Sequence, residues 1–381
     1  MQRTRWGGIA DGRLQPGGYF RVAETDNIFW LIDPDGGRFL SKGVNTVRFD
    51  QDAIHNSKRV PYAEACARKY GSERAWRTAA AARLADWGFN TLGAWSDEMV
   101  ADVGSVPLGV TPNLDLGMSF AWSKDQRFPD VFDPEFDVHV HLRARELCTP
   151  KRENNNLIGW FIDNELRWGP DWRGPEELLA LFLNLPAASP GHRAAVAADP
   201  KTFTAQVAER YFALTTAAIR AADPHHLVLG CRFAYVPSPA VIEAAGRHAD
   251  VVSFNCYEID AAKAMGAYSA IGKPCLIGEF SFRAADSRLP NTNGAGPLVP
   301  TQAERAASFR RYVTTALRMP TIVGFHWFEH ADQPAEGRFD GENSNFGTVT
   351  INDEVYEELT QAMKSVNAEA ESLHASAGRI S

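Results

Sequence analysis

The sequence predicts an α/β chain folded as a (β/α)8 TIM barrel with an N-terminal β-hairpin extension. Three observations lead there. Short apolar runs rich in β-branched residues recur eight times. Stretches with helical spacing of apolar residues separate most of them. Polar side chains gather where several of the runs end. Near-continuous apolar runs suit strands buried on both faces, as a parallel sheet requires, and strand–helix alternation along a chain is the pattern of such a barrel.

Residues 1–38 stand outside the alternation. "YFRVAETDNIFWLIDPDGGRFL" carries two strand-like runs around Asp33, Pro34, Asp35, Gly36 and Gly37, a hairpin signal. It is expected to close the bottom of the barrel, with residues 39–381 forming the barrel itself. The eight runs are Phe39–Val47, Phe89–Trp95, Val106–Leu114, Leu157–Asp163, His226–Phe233, Asp250–Tyr257, Pro274–Phe282 and Thr321–Phe328. Ser72 to Gly88 reads as a helix stopped by its terminal glycine. "FTAQVAERYFALTTAAIRAADP" reads as another, halted at Asp223-Pro224. A third opens with Thr301 and Glu304 in capping-box spacing and ends before Pro320. "EVYEELTQAMKSVNAEAESLH" is expected to be the last barrel helix. Trp168 to Lys201, rich in Pro, Ala and Gly, is an insertion after the fourth run.

Composition narrows the function classes. The 381 residues are 45% hydrophobic and 23% charged, ordinary for a globular protein, and an α/β barrel reaches ~250 residues as one unit. A formal net charge of −8 gives no basic footprint for nucleic acid, and no Lys/Arg-rich run suggests an anionic membrane surface. No apolar stretch is long enough to span a bilayer, and the N-terminus lacks the apolar core of a secretory signal. The expectation is a cytoplasmic protein, or a periplasmic or secreted one if a signal was removed. Five cysteines without a CxxC argue against a disulfide framework and a zinc knuckle, and are expected to be buried free thiols.

In such barrels the chemistry sits at the C-terminal ends of the strands. The fourth run ends on Asn164-Glu165 and the seventh on Glu279. The sixth ends on Tyr257, and the eighth on His326, Trp327 and Glu329. The first offers Asn45 and Arg48, the second Trp95 and Asp97. Two carboxylates facing each other across the mouth suit retaining glycoside hydrolysis, with one protonated, one ionised and the pair roughly 5–5.5 Å apart. The loop "DGENSNFG", with Asn343, lacks the register of a calcium loop and is expected to contact substrate. His139 and His141 fall at the start of a helix, where i and i+2 do not share a face, so no metal pair is expected there. His225-His226 follows Pro224 in a turn and is expected to face solvent. A metal-dependent hydrolase would need strand-end histidines, and His326 is the only good candidate. No metal and no cofactor are expected, and the partner is a carbohydrate.

The strand-end glutamates carry a resemblance. Asn-Glu ending the fourth strand, with a glutamate ending the seventh, resembles clan-A glycoside hydrolases. "GWFIDNELRWG", "GEFSF", "TQAERA" and "GFHWFEHADQPAEGRFDGENSNFG" are similar to the catalytic domain of the family-50 β-agarases and, more distantly, the family-42 β-galactosidases. The hairpin "FWLIDPDGGRFLSKGVN" resembles their entry into the barrel, and the likeness covers most of Tyr19 to His374. It implies a retaining β-glycoside hydrolase acting on a β-linked, galactose-containing saccharide. Glu165 would be the general acid/base and Glu279 the nucleophile. Asn164 would bond the sugar 2-hydroxyl, Tyr257 would hold the nucleophile, and Trp327 would floor the cleaved subsite. His326, Glu329, Arg48, Trp95 and Asn343 complete the expected substrate-binding set. The same machinery on a glucan or mannan, or a non-catalytic glycan-binding barrel, are the alternatives.

Overall fold

A computed structural model describes residues 2–377. Met1 and residues 378–381, the outer ends of the two expected segments, lie outside the described residues. The chain opens with a three-stranded antiparallel sheet of β1 (Arg21–Thr25), β2 (Ile28–Ile32) and β3 (Arg38–Phe39). β1 and β2 are joined by Asp26-Asn27, both at positive φ (55° and 60°), the geometry that matches the right-handed twist of a two-residue hairpin. The expected turn at Asp33–Gly37 is the second one. There Asp33 Oδ1 accepts from the backbone N–H groups of Asp35 (3.0 Å) and Gly37 (2.9 Å). The expected boundary between residues 38 and 39 falls inside β3.

Each of the eight runs contributes a strand. These are β4 (Ser41–Val44), β5 (Thr91–Leu92), β6 (Gly109–Val110), β7 (Gly159–Trp160), β8 (Leu227–Val228), β9 (Val252–Asn255), β10 (Cys275–Phe280) and, after a short pair β11 (Arg283–Ala284) and β12 (Leu298–Val299), β13 (Ile322–Trp327). Six form one parallel sheet in the order β6-β5-β4-β13-β10-β9, and β7 pairs with β8. Single parallel bridges Val110–Leu157 and Asn113–Phe161 lead from β6 to β7, and Phe233–Phe254 leads from the end of β8 to β9. The eight strands of the runs are buried throughout, as a parallel sheet covered by helices requires, whereas β11 and β12 are partly exposed.

The helices are α1 (Pro61–Tyr70), α2 (Glu73–Asp86), α3 (Leu116–Ser123), α4 (Pro134–Cys148), α5 (Leu178–Leu183), α6 (Pro190–Ala197), α7 (Phe203–Ala222), α8 (Pro239–His248), α9 (Ala262–Ser269), α10 (Gln302–Leu317) and α11 (Glu357–His374). The Thr301 cap falls where the sequence places it, its Oγ1 accepting from Glu304 N–H at 3.2 Å, and Ser72 likewise caps α2, its Oγ accepting from Ala75 N–H at 3.2 Å. α5 and α6 are built from the Trp168–Lys201 insertion.

The N-terminal segment plugs one end of the sheet. Trp6, Phe20, Leu31 and Phe39 form an apolar cluster with Ile158, Leu227, Val251, Leu276 and Val323, each within one residue of the start of its strand. The polar strand ends therefore lie at the opposite, open end. All five cysteines are buried and free. The expectation for His226 is corrected: it is buried, because its Nδ1 bonds Asp223 Oδ2 (2.7 Å) and its Nε2 the Asn154 carbonyl (3.0 Å). His225 is exposed and stacks on Tyr19.

Candidate active site

β7 runs into Asp163, Asn164 and Glu165. Asp163 is fully buried and anchors the turn. Its Oδ2 accepts from Gly117 N–H (2.7 Å) and the Tyr211 hydroxyl (2.6 Å), and its Oδ1 from Met118 N–H (2.8 Å). The strand end is thus tied to the N-terminus of α3, where carboxylates are favoured by the unpaired N–H groups. Glu165 takes φ 55°, donating its N–H to the Arg232 carbonyl (3.2 Å), and Arg232 itself takes φ 52°. Trp95, at φ 61°, is a further left-handed non-glycine residue at the open end. Such conformations cost about 1–3 kcal/mol each and persist where surrounding contacts over-determine them.

Glu279 is brought inward by an irregularity in β10. Between Ile277 and Phe280 the strand advances three residues while β13 advances two, from Phe325 to Trp327. Against β9 the step from Ile277 to Glu279 matches a single step from Phe254 to Asn255. The one extra residue is a β-bulge, which re-aims a side chain locally. The bulge holds Gly278, whose missing Cβ would stand 2.8 Å from Asn255 Oδ1 and 3.1 Å from Arg232 Nη1.

Six side chains then interlock. Arg232 Nη2 donates to Glu279 Oε1 (2.5 Å) and its Nε to Asn164 Oδ1 (2.8 Å). The Tyr257 hydroxyl donates to Glu279 Oε2 (2.5 Å). Asn255 Nδ2 donates to Glu165 Oε1 (2.8 Å) and Asn164 Oδ1 (3.2 Å). The Arg232 guanidinium lies between the rings of Trp95 (4.9 Å) and Phe161 (4.7 Å). The two carboxyls are consequently unlike. Glu279 has a cation on one oxygen and a hydroxyl donor on the other. Glu165 has one amide donor. Burial, with the negative Glu279 nearby as the next cause, pushes its carboxyl up to about 7.

Of the expected residues, the fold assembles Asn164, Glu165, Tyr257, Glu279 and Trp95. Others it places elsewhere, and the expectations are corrected. Trp327 has no face open to the site. Its ring is fully buried against Phe280, Phe309 and the Arg305 guanidinium, and its Nε1–H donates to the Phe346 carbonyl (3.0 Å). It points outward from β13 toward α10. The next ring along the chain, Phe328, meets Tyr257 at 6.4 Å edge-on, beside Phe346 at 6.5 Å. His326 points inward but below the site, fully buried, with Nε2 bonded to Ser41 Oγ (2.8 Å). Burial, then the Arg232 charge, lower it to about 3, which keeps it neutral. Glu329 is sealed, its Oε1 accepting from Gln333 Nε2 (3.1 Å). Asn343 spends its amide on a neighbouring loop, accepting from Thr292 N–H (3.0 Å) and Asn293 N–H (3.1 Å) and donating to Thr292 Oγ1 (2.8 Å). Arg48 forms a two-pronged pair with Asp50 at 2.7 Å.

Arg232 and Asn255 are the site residues that strand-end reasoning passes over. Each lies inside an apolar run, and a charged or amide side chain interrupting "LVLGCRF" and "VVSFNCY" is the signal that marks them.

No protein-family model matches the chain. It is similar to two curated proteins of Vibrio sp. (strain JT0107). It is 27% identical to β-agarase B over 96% of this chain and 50% of that protein. It is 28% identical to β-agarase A over 92% of this chain and 46% of that protein. The chain spans about half the length of the curated relatives it matches. Among solved structures it superposes on the agarase AgWH50C with a TM-score of 0.83 at 27% identity, covering 98% of this chain and 67% of that one. It superposes equally well on BpGH50, with a TM-score of 0.83 at 24% identity over 98% of this chain and 86% of that one.

Proposed function

We propose that this chain is a retaining β-glycoside hydrolase of the agarase kind, acting on a β-linked, galactose-containing oligo- or polysaccharide. Its eight parallel strands are read as one closed (β/α)8 barrel, with the single bridges flanking β7 and β8 completing the ring. The observation that carries the functional reading is the unlike pair of carboxyls: one ion-paired and hydroxyl-bonded, the other raised to about 7 at the mouth of the same ring. A double displacement asks for one ionised carboxylate and one protonated acid. The names of the relatives supply the galactan preference.

In the first step Glu279 attacks the anomeric carbon while the glycosidic C–O bond breaks. Glu165 gives its proton to the departing oxygen. Arg232 and Tyr257 hold the attacking carboxylate in line, and Asn164, whose oxygen is already occupied, offers its Nδ2 to the sugar 2-hydroxyl. In the second step the ionised Glu165 takes a proton from water, the oxygen of that water bonds the anomeric carbon, and Glu279 leaves. Two inversions return the β configuration. The steps require no cofactor.

The test separates the two glutamates. Glu165→Gln keeps the nucleophile, so a dinitrophenyl β-galactoside should still glycosylate the enzyme, which then stalls. Azide needs no base, and should rescue that variant with a β-glycosyl azide as product. Glu279→Ala with azide should give the α-azide. Swapped stereochemistry reverses the roles. No rescue of either variant, with no covalent adduct by mass spectrometry, removes the retaining mechanism.

A further inference from the structure

Two loops at the open end share a construction that the catalytic centre does not use. After β7 the chain reads "DWR", Asp171 to Arg173. After β13 it reads "RFD", Arg338 to Asp340, the mirror order. In each, the arginine pairs with the aspartate two residues away: Arg173 Nε and Nη2 to Asp171 Oδ2 (2.9 and 2.6 Å), Arg338 Nε and Nη2 to Asp340 Oδ1 and Oδ2 (3.1 and 3.0 Å). In each, the guanidinium so fixed lies over the aromatic ring between them, at 4.5 Å from Trp172 and 5.2 Å from Phe339. In each, that ring is the most solvent-bare of its kind: Trp172 is 68% exposed and Phe339 74%.

Neither loop is slack. Asp171 and Gly174 exchange backbone hydrogen bonds at 3.0 and 3.1 Å, and the buried Arg167 ties the base of the loop to Glu176 (2.7 Å). Arg338 is bonded through its own N–H to the Glu342 carbonyl (2.9 Å) and through Nη2 to the Glu342 carboxylate (2.8 Å). An exposed aromatic normally gains nothing from being held still. Here a cation lies against each ring, and most of the side chain is left to water.

Both loops connect to the catalytic pair. Arg338 also lies over Phe328 (5.4 Å), whose ring meets Tyr257 (6.4 Å), whose hydroxyl holds Glu279. Trp172 follows Glu165 by seven residues, and the Arg173 charge reaches the Glu165 carboxyl. In the ring of strands proposed above, β7 and β13 stand four strands apart, on opposite sides of the mouth.

We infer that Trp172 and Phe339 are two sugar-stacking platforms flanking the cleaved bond, so that the site grips a β-linked oligosaccharide on both sides rather than a single terminal sugar. The inference rests on the glycosidase reading. The weakly polar C–H face of a pyranose packs on an aromatic ring, and a ring already immobilised loses little freedom on binding. The platform on the Glu165 side receives the leaving-group sugars. The one on the Tyr257 side receives sugars beyond the attacked one.

The test compares chain lengths. Wild type, Trp172→Ala, Phe339→Ala and the double variant are assayed on agarose-derived tetra-, hexa- and octasaccharides and on an aryl β-galactoside. Leu142→Ala, an exposed apolar side chain on α4, is the control. Each platform variant should lose roughly tenfold in kcat/KM on the octasaccharide, mostly through KM. That loss should exceed the loss on the aryl glycoside by at least about fivefold, and the double variant should lose more than either. The variants should also migrate faster than wild type in an agarose gel. Equal losses at every chain length, or none, overturn the platforms while leaving the glycosidase reading standing. A wild-type chain that neither cleaves nor is retarded by any of these saccharides overturns both.

Discussion

Replacing Asn255 with leucine should move the alkaline limb of the pH–rate profile upward by about one to two pH units. Asn255 Nδ2 gives Glu165 the only side-chain hydrogen bond the described residues supply to its carboxyl, at 2.8 Å, and Asn255 is 2% exposed. Leucine has nearly the same shape, so it removes the donor without admitting water. A hydrogen bond to a charged group is worth about 1.5–3 kcal/mol, and ~1.4 kcal/mol is one pKa unit. The bond favours the carboxylate, so its loss favours the protonated acid and raises a carboxyl that already stands at about 7. A general acid works only while protonated. Activity on a substrate with a poor leaving group should therefore persist about one to two units further into alkali. The assay is kcat/KM from pH 4 to 10, with circular dichroism to confirm the fold. Asp163 is the rival source of such a limb, because burial raises it to about 7 as well. Glu165→Gln, measured with an activated leaving group, decides between them by losing the limb if Glu165 is its source. An Asn255→Leu profile that stays in place or moves to lower pH, in a folded protein, refutes the reasoning.

Two further outcomes follow from the packing. Trp327→Ala should cost about 3–5 kcal/mol of unfolding free energy, read from urea denaturation, because the ring is wholly enclosed and no collapse fills its space. A loss confined to substrate binding at unchanged stability would contradict its placement. Gly278→Ala should lower kcat roughly a hundredfold with little change in far-UV dichroism, since the new methyl must displace Asn255 or Arg232 from the two glutamates. Wild-type turnover in that variant would show that the bulge tolerates a side chain.

The positions of the strands, the Thr301 N-cap and the two glutamates that meet at the open end were legible in the amino-acid sequence. Each depends on local chemistry: an apolar run of strand length, a hydroxyl three residues before an amide, a carboxylate that ends a buried segment and has no business there unless it works. The tertiary structure alone decided which way the side chains of a run face. "TIVGFHWF" is apolar or aromatic at nearly every position, so it carries no alternation, and a shift of one residue exchanges its two faces. Pairing of β13 with β4 and β10 turns His326 inward beneath the site and Trp327 outward to α10, leaving Phe328 beside Tyr257. The same holds for Arg232 and Asn255. Each stands within a run that reads as core, and a left-handed turn at Arg232 with one extra residue at Gly278 brings both against the glutamates. Backbone twists of that kind are stabilised by contacts between segments more than a hundred residues apart, such as the Asn45 amide on the Gly278 carbonyl at 2.9 Å. No stretch of chain contains the information until the strands have met.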